Sequence, residues 1–408
     1  MAERAELGPV TCAGCALLCD DVIVDWSAET VRLQPSCGLG ARWFTERLQR
    51  PTDTADATID GAPADVESAL RRAAELLRAA RRPMLYGFEG ATVEDTRAAV
   101  ALADRLGALV VTENVSGPWP GAPALPLRGA TTATLGEIRD RSGVVVIWRE
   151  DPETTHPRLL DRLGFADNAS RALVVVDDRD TATAARATLR LRWPPERDLD
   201  ALVTLHALIQ APPTAPAPGD LDAPLGALMD RISDVPHLAF IHGPALTGGV
   251  GGQRRALALY ELTRALSHER HVVTLALPRA AGTTGAQDAV AWQTGYAGNV
   301  DLASGHPELL TVTQPLHGAD DVDVAVRIDG VPAQLAAGVA EIALGSGSPP
   351  NEPGSVPAVS IRTAAPGVEA EGTAHRLDGV PLALQAPWPT GAPTAAALLS
   401  RLLAEVAR

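Results

Sequence analysis

The chain of 408 residues contains no lysine; every one of its 35 fixed side-chain cations is an arginine. That absence excludes a P-loop lysine, a lysine Schiff base and a lysine general base. No run of about twenty apolar residues occurs, so no segment is expected to span a membrane. The opening stretch, MAERAELGPV, has no apolar core and does not read as a secretory signal. A cytoplasmic location is therefore expected. There is no basic stripe, and the formal net charge is −15. Nucleic acid is disfavoured as a main partner, because neutralising its backbone needs a cationic surface.

Cysteine is also sparse, and its placement is the informative feature. The four cysteines fall as Cys12-x2-Cys15-x3-Cys19, followed by Cys37. In a cytoplasmic chain, clustered thiols point to metal ligation before disulfides. Four soft thiolates suit a [4Fe–4S] cluster or a structural zinc. The x2, x3 spacing favours the cluster, since zinc ribbons more often pair two CxxC knuckles. The plain alternative is four buried, unligated thiols, which their crowding into the first tenth of the chain argues against.

The rest of the sequence reads as α/β. Residues 22–24 and 30–33 form a short hairpin between Cys19 and Cys37. Residues 65–80 have apolar positions at helical spacing, acids early and arginines late. Strands at 84–87, 108–111, 144–148 and 171–176 then alternate with helices at 93–106 and 134–141, which implies parallel βα units. The stretch 211–219, APPTAPAPG, is the best linker candidate. Beyond it come strands at 237–243, 272–275 and 322–328, helices at 253–267 and 393–407, and a Gly/Ser/Pro-rich loop at 345–357. The expected division is a four-cysteine module at 1–52, a first α/β domain at 53–210, the linker at 211–219, and a second α/β domain at 220–408.

Three further places carry possible chemistry. Thr247-Gly248-Gly249-Val250-Gly251-Gly252 lies between a strand and a helix, where Gly248, Gly249, Gly251 and Gly252 would let backbone N–H groups approach a phosphate. The spacing is not GxGxxG, and a loop merely rich in glycine is the competing reading. His156-Pro157-Arg158 follows the strand ending at Trp148, near a C-terminal sheet edge where α/β ligands sit; a surface loop is the alternative. Glu369, Glu371, His375, Arg376 and Asp378 form a polar cluster that is either catalytic or a turn positioning the chain. No Ser/His/Asp order, HExxH or other hydrolase signature is present, so no catalytic residue is assigned.

Several segments together resemble one family. CAGCALLCDD at 12–21, TLGEIRDR at 134–141, HPR at 156–158, WQTGYAGNVD at 292–301 and VEAEGTAHRLDGVP at 368–381 are similar to the B subunit of formylmethanofuran dehydrogenase, in the molybdopterin/tungstopterin oxidoreductase superfamily. The resemblance implies that Cys12, Cys15, Cys19 and Cys37 hold a [4Fe–4S] cluster, with zinc as the alternative. It also implies that the second α/β half holds pterin pyrophosphates where the glycine loop lies. The redox members place a cysteine or selenocysteine before the GE[IV] helix as tungsten or molybdenum ligand. Here the matching stretch is Glu113-Asn114-Val115-Ser116-Gly117-Pro118-Trp119-Pro120-Gly121, without cysteine. The ligand position falls near Gly117, and Ser116 is the nearest conceivable alkoxide ligand.

Tungstopterin or molybdopterin is therefore expected to be absent. The departure resembles the non-redox relatives of this family, the formyltransferase/hydrolase complexes of methylotrophs. What this implies is a structural and assembly subunit, non-catalytic by itself. It would serve tetrahydromethanopterin/methanofuran-linked one-carbon metabolism, from formaldehyde to formate. Its implied partners are an amidohydrolase-like A subunit, a C subunit and a formyltransferase D subunit. The larger pterin oxidoreductases continue into a C-terminal β-barrel that this chain is expected to lack. Two rival readings remain: a pterin-dependent dehydrogenase subunit, and an iron–sulfur or zinc protein of an unrelated assembly.

Overall fold

The structure is a computed structural model, and it describes residues 5–26, 30–48, 55–112, 124–166, 171–210, 221–310, 321–333, 335–346 and 356–408. The chain folds as two compact units, one made of residues 1–116 with 280–408 and the other of residues 117–279.

The first unit begins with a three-stranded antiparallel sheet, Ala5–Val10, Val22–Trp26 and Val31–Gln34. The helix Gly38–Leu48 follows it. The main sheet of this unit has a parallel centre, ordered Leu109–Val111, Pro83–Gly87, Val324–Ile328, Ala340–Gly345, Val359–Arg362. Short antiparallel strands extend both of its edges. Helix Val66–Ala79 starts at Asp65, whose carboxylate accepts from the Ser68 amide. Helix Val93–Leu106 starts at a capping box between Thr92 and Asp95 and stops at Gly107 in the left-handed region. A β-carbon disfavours that conformation and glycine does not. The apolar faces of both helices, with that of Ala395–Val406, pack on the sheet in one core.

The second unit is built on an all-parallel five-stranded sheet, ordered Leu189–Leu191, Ala172–Val176, Val144–Trp148, His237–His242, His271–Ala276. Every residue of Val144–Trp148 is buried. This follows from its run of Val, Val, Val, Ile and Trp, which has no polar face to offer solvent. Side chains at alternate positions of these strands join the helices Asp198–Gln210, Asp222–Ile232 and Gly252–Leu266 in one core.

The division into units differs from the one expected at 211–219. Strand Val144–Trp148 hydrogen-bonds to His237–His242, and Pro83–Gly87 to Val324–Ile328. Each sheet thus takes strands from both sides of the proline-rich stretch. Helices Asp198–Gln210 and Asp222–Ile232, on either side of that stretch, belong to one unit; a proline-rich composition does not by itself imply a domain boundary. The stretch itself lies outside the described residues.

Candidate functional site

The four cysteines are brought together at one place in the first unit, and none forms a disulfide. Cys12 follows strand Ala5–Val10 and Cys19 precedes the antiparallel strand Val22–Trp26. The Cys12 amide donates to the Cys19 carbonyl at 2.8 Å, which closes the loop between them. Within the loop the Leu18 amide donates to the Cys15 carbonyl at 3.2 Å. Cys37 stands immediately before helix Gly38–Leu48, and its carbonyl accepts from the Ala41 amide at 2.9 Å. The positive end of that helix therefore adjoins the cysteine cluster, where it favours negative charge.

Two glycines allow this approach. A β-carbon on Gly14 would stand 3.0 Å from the Gly40 Cα, and one on Gly40 would stand 3.0 Å from Cys12 Sγ. The Gly14 amide donates to Cys12 Sγ at 3.4 Å. Burial, with repulsion between the neighbouring thiolates, pushes the Cys12 and Cys15 thiols up to about 12. Burial disfavours free thiolates here, and a metal centre that took them as ligands would supply the compensating charge. Among the described residues, metal-capable atoms of three side chains gather within 4.8 Å of one another at Glu137, His237 and His271. Four thiolates suit a [4Fe–4S] cluster and a structural zinc alike.

Two guanidiniums act on this group. Arg47 stacks over the Trp43 ring at 4.5 Å; burial disfavours its charge, which Asp329, Glu46 and Cys12 only partly restore. Arg376, held by Asp378 at 2.7 and 2.8 Å, is drawn toward its charged form by Asp378 first and also by Asp20 and Cys19. Arg376 belongs to the polar cluster expected at 369–378, and the structure resolves that cluster into separate structural ties. Glu369 pairs with Arg362. His375 Nδ1 lies 2.6 Å from Asp288 Oδ2. Glu371 lines a cavity of about 170 Å³ with Asp95 and Asp329. The hairpin Gly372–His375 and Pro381–Leu384 packs apolar residues against Leu18 of the cysteine loop. The Leu377 amide donates to the Ala16 carbonyl at 2.9 Å. The hairpin that carries part of this cluster, rather than the cluster as a whole, packs on the cysteine loop.

The other expected sites lie in the second unit. His156 is fully buried rather than on a surface loop. Its Nδ1 lies 3.0 Å from Thr155 Oγ1, and its Nε2 lies 2.9 Å from the Pro278 carbonyl. A carbonyl only accepts, so Nε2 carries the proton. Burial pushes His156 down to about 4, with Arg279 adding to the effect. The imidazole is thus neutral and committed to internal bonds. Arg158 stands at the start of the short helix Leu159–Arg162. The glycine loop lies between His237–His242 and helix Gly252–Leu266 as expected. Its carbonyls at Gly248 and Val250, and that of Leu246, accept from the Arg255 guanidinium. The stretch Glu113–Gly121, with Ser116 and Gly117, lies outside the described residues.

Sequence reasoning missed a recurring feature at the strand ends. Phe88, Arg149 and Asp329 have φ of 69°, 53° and 52°, and each directly follows a central parallel strand. Non-glycine residues rarely adopt that region. No residue-type pattern marks them in advance. Arg149 is held there by Asp198, Asp178 and the Trp193 carbonyl.

Parallel sheets in α/β units, with four cysteines near the N-terminus, are consistent with a fold of the pterin-oxidoreductase kind. More closely, the chain is homologous to the B subunit of formylmethanofuran dehydrogenase. It is 27% identical over 406 residues to the B subunit of the tungsten-containing formylmethanofuran dehydrogenase 2 of Methanocaldococcus jannaschii, covering 92% of each chain. It is 41% identical over 93 residues to the B subunit of the formyltransferase/hydrolase complex Fhc of Methylorubrum extorquens, covering 22% of this chain and 25% of that one. Its fold matches a chain in the crystal structure of the Methylorubrum extorquens formyltransferase/hydrolase complex FhcABCD with methylofuran. That match has a TM-score of 0.70 and 25% identity, covering 86% of this chain and 98% of the other. No family model matches the chain. Among the described residues, no helix is long and apolar enough to cross a membrane.

Proposed function

We propose that the chain is a non-redox subunit of a cytoplasmic formyltransferase/hydrolase complex. In this role it assembles with an amidohydrolase-like A subunit, a C subunit and a formyltransferase D subunit in one-carbon metabolism. The observation that carries the reading is the cysteine distribution. All four cysteines lie between residues 12 and 37. None is left near Gly117 to ligate tungsten or molybdenum, and glycine or proline offers no substitute for a thiolate. The structural match to a chain of FhcABCD over 98% of that chain supports the same assembly.

Cys12, Cys15, Cys19 and Cys37 would hold a [4Fe–4S] cluster. In a subunit without redox chemistry, the cluster would pin the N-terminal loop to helix Gly38–Leu48 and the 372–384 hairpin. Gly14 and Gly40 permit the close packing, and Arg47 and Arg376 offset the charge of the thiolates. A second reading is favoured by the match to a tungsten-containing dehydrogenase subunit over 92% of the chain. In it the glycine loop, Gly248, Gly249, Gly251 and Gly252, would meet a pterin pyrophosphate.

The assembly is tested by tagging the chain in its native host and identifying what copurifies. Formyltransferase and amidohydrolase-like subunits in fixed ratio are expected. The chain expressed alone should be poorly soluble and inactive in formyl transfer and hydrolysis, and coexpression should rescue its solubility. A monodisperse monomer that alone releases formate from a formylated furan carrier would end the proposal.

A further inference from the structure

The second unit holds another set of metal-capable side chains, well away in sequence from the cysteines. His237 opens strand His237–His242, and His271 opens the adjacent parallel strand His271–Ala276. The two are direct register partners. Partners in register project from the same face of a sheet, and the two imidazole centroids lie 4.9 Å apart. Glu137, on helix Leu135–Arg141, brings Oε1 to 3.7 Å from His237 Nε2 and 3.7 Å from His271 Nε2. All three ligand atoms lie within 4.8 Å of one another.

The buried member of the set is incomplete without a further partner. His237 is 5% exposed, and its Nδ1 lies 2.9 Å from Ser142 Oγ. Its Nε2 is buried and has no hydrogen-bond partner. At 3.7 Å the Glu137 oxygen is too far to supply one. Buried polar atoms are rarely left in this state. The spacing suits a shared cation instead: ligands about 2.0–2.1 Å from a tetrahedral zinc lie about 3.3 Å apart, so the two Glu137–histidine separations of 3.7 Å need close by only a few tenths of an ångström, and all three ligand atoms already lie within 4.8 Å of one another.

The surroundings fix these groups. The Gly143 amide donates to the His237 carbonyl at 3.1 Å, and the His271 amide to the Pro236 carbonyl at 2.8 Å. Arg171 Nε donates to the Ser142 carbonyl at 2.9 Å, steadying the residue that orients the His237 ring. Such an outer partner is the usual companion of a metal-bound histidine. Arg141 Nη1 stands 3.8 Å from Glu137 Oε1, but its side chain is 69% exposed and free to swing away.

We propose that Glu137, His237 and His271 form a binding site for a first-row divalent cation, with zinc the best fit to two imidazoles and one carboxylate. The half-exposed His271 and Glu137 leave the fourth position open to solvent or to a ligand atom from a partner.

The test uses the full chain, in its complex, with the cysteine site in its native state. Zinc uptake is titrated for the wild type, His271→Ala and Glu137→Gln, and crystals soaked in zinc are measured at the zinc absorption edge. Because His271 and Glu137 are at the surface, both variants should fold, which zinc-free melting verifies. The wild type should take up one more equivalent than either variant, or bind it at least tenfold more tightly. An anomalous peak should lie among the three side chains. Equal uptake and affinity in all three proteins, or zinc density at the cysteines alone, would overturn the proposal.

Discussion

The Cys12 amide donates to the Cys19 carbonyl at 2.8 Å, so two of the four thiols are held at the neck of one closed loop. Cys15 lies inside that loop, and its burial makes the unligated thiol costly to ionise. Cys15→Ser should lower iron content by at least half and lower the melting temperature of the native protein. Iron analysis and thermal unfolding under anaerobic conditions measure both effects. Metal-free wild type with a melting temperature equal to that of the variant would contradict the metal-centre reading.

Asp198 should be a stability determinant of the second unit. Its carboxylate accepts from Trp148 Nε1 at 3.0 Å, Trp193 Nε1 at 2.9 Å and Arg149 Nε at 2.9 Å, all buried. Removing it leaves the Arg149 charge and two indole N–H groups without that partner. Asp198→Ala should cost about 3–5 kcal/mol, the range for breaking a buried ion pair from one side. Denaturant unfolding checks it, and a change under about 1 kcal/mol would show that the network carries little.

Gly282→Ala should destabilise the first unit. A β-carbon there would lie 2.2 Å from the Phe88 carbonyl oxygen and 2.8 Å from the Ala91 amide nitrogen. Both are backbone atoms with little room to yield. Overpacking of this kind costs about 1–3 kcal/mol. Equal melting temperatures for wild type and variant would count against the tight turn at Phe88.

Acid should weaken the second unit through two buried imidazoles. Burial holds His156 and His242 down to about 4, against an ordinary 6.5. Above pH 6.5 both rings are neutral folded or unfolded, and the stability linked to them is fully present. As pH falls from 6.5 toward 4, the unfolded chain takes up protons that the fold refuses, so stability is lost. Each ring contributes on the order of 3 kcal/mol over that window, since each pH unit separating the folded from the unfolded value is worth about 1.4 kcal/mol. Unfolding free energies at pH 7 and pH 4.5 measure the slope, which His156→Gln should flatten. A slope unchanged in that variant would place the acid sensitivity elsewhere.

Local signals were readable in the sequence where one segment carries the whole pattern. Helix Val93–Leu106 has its cap, its acids and its terminal glycine written in order, and the expected 93–106 matches it. Strand Val144–Trp148 announces itself as an unbroken apolar run. The cysteines are legible as a group because three fall within eight residues. The domain division was not legible, since strand pairing between 144–148 and 237–242 leaves no mark in composition. The burial of His156 was hidden for the same reason: its partner carbonyl belongs to Pro278. Glu137, His237 and His271 come from a helix and two strands, and only the register of those strands brings the imidazoles together.

A cysteine-ligated cluster in a subunit without pterin redox metal is tested most directly by elemental analysis. The complex, purified anaerobically from its native host, is measured for iron, zinc, tungsten and molybdenum per copy of this chain. About four irons attributable to the four thiolates are expected, and neither tungsten nor molybdenum. Stoichiometric tungsten or molybdenum released with a pterin would contradict it and make the chain a dehydrogenase subunit.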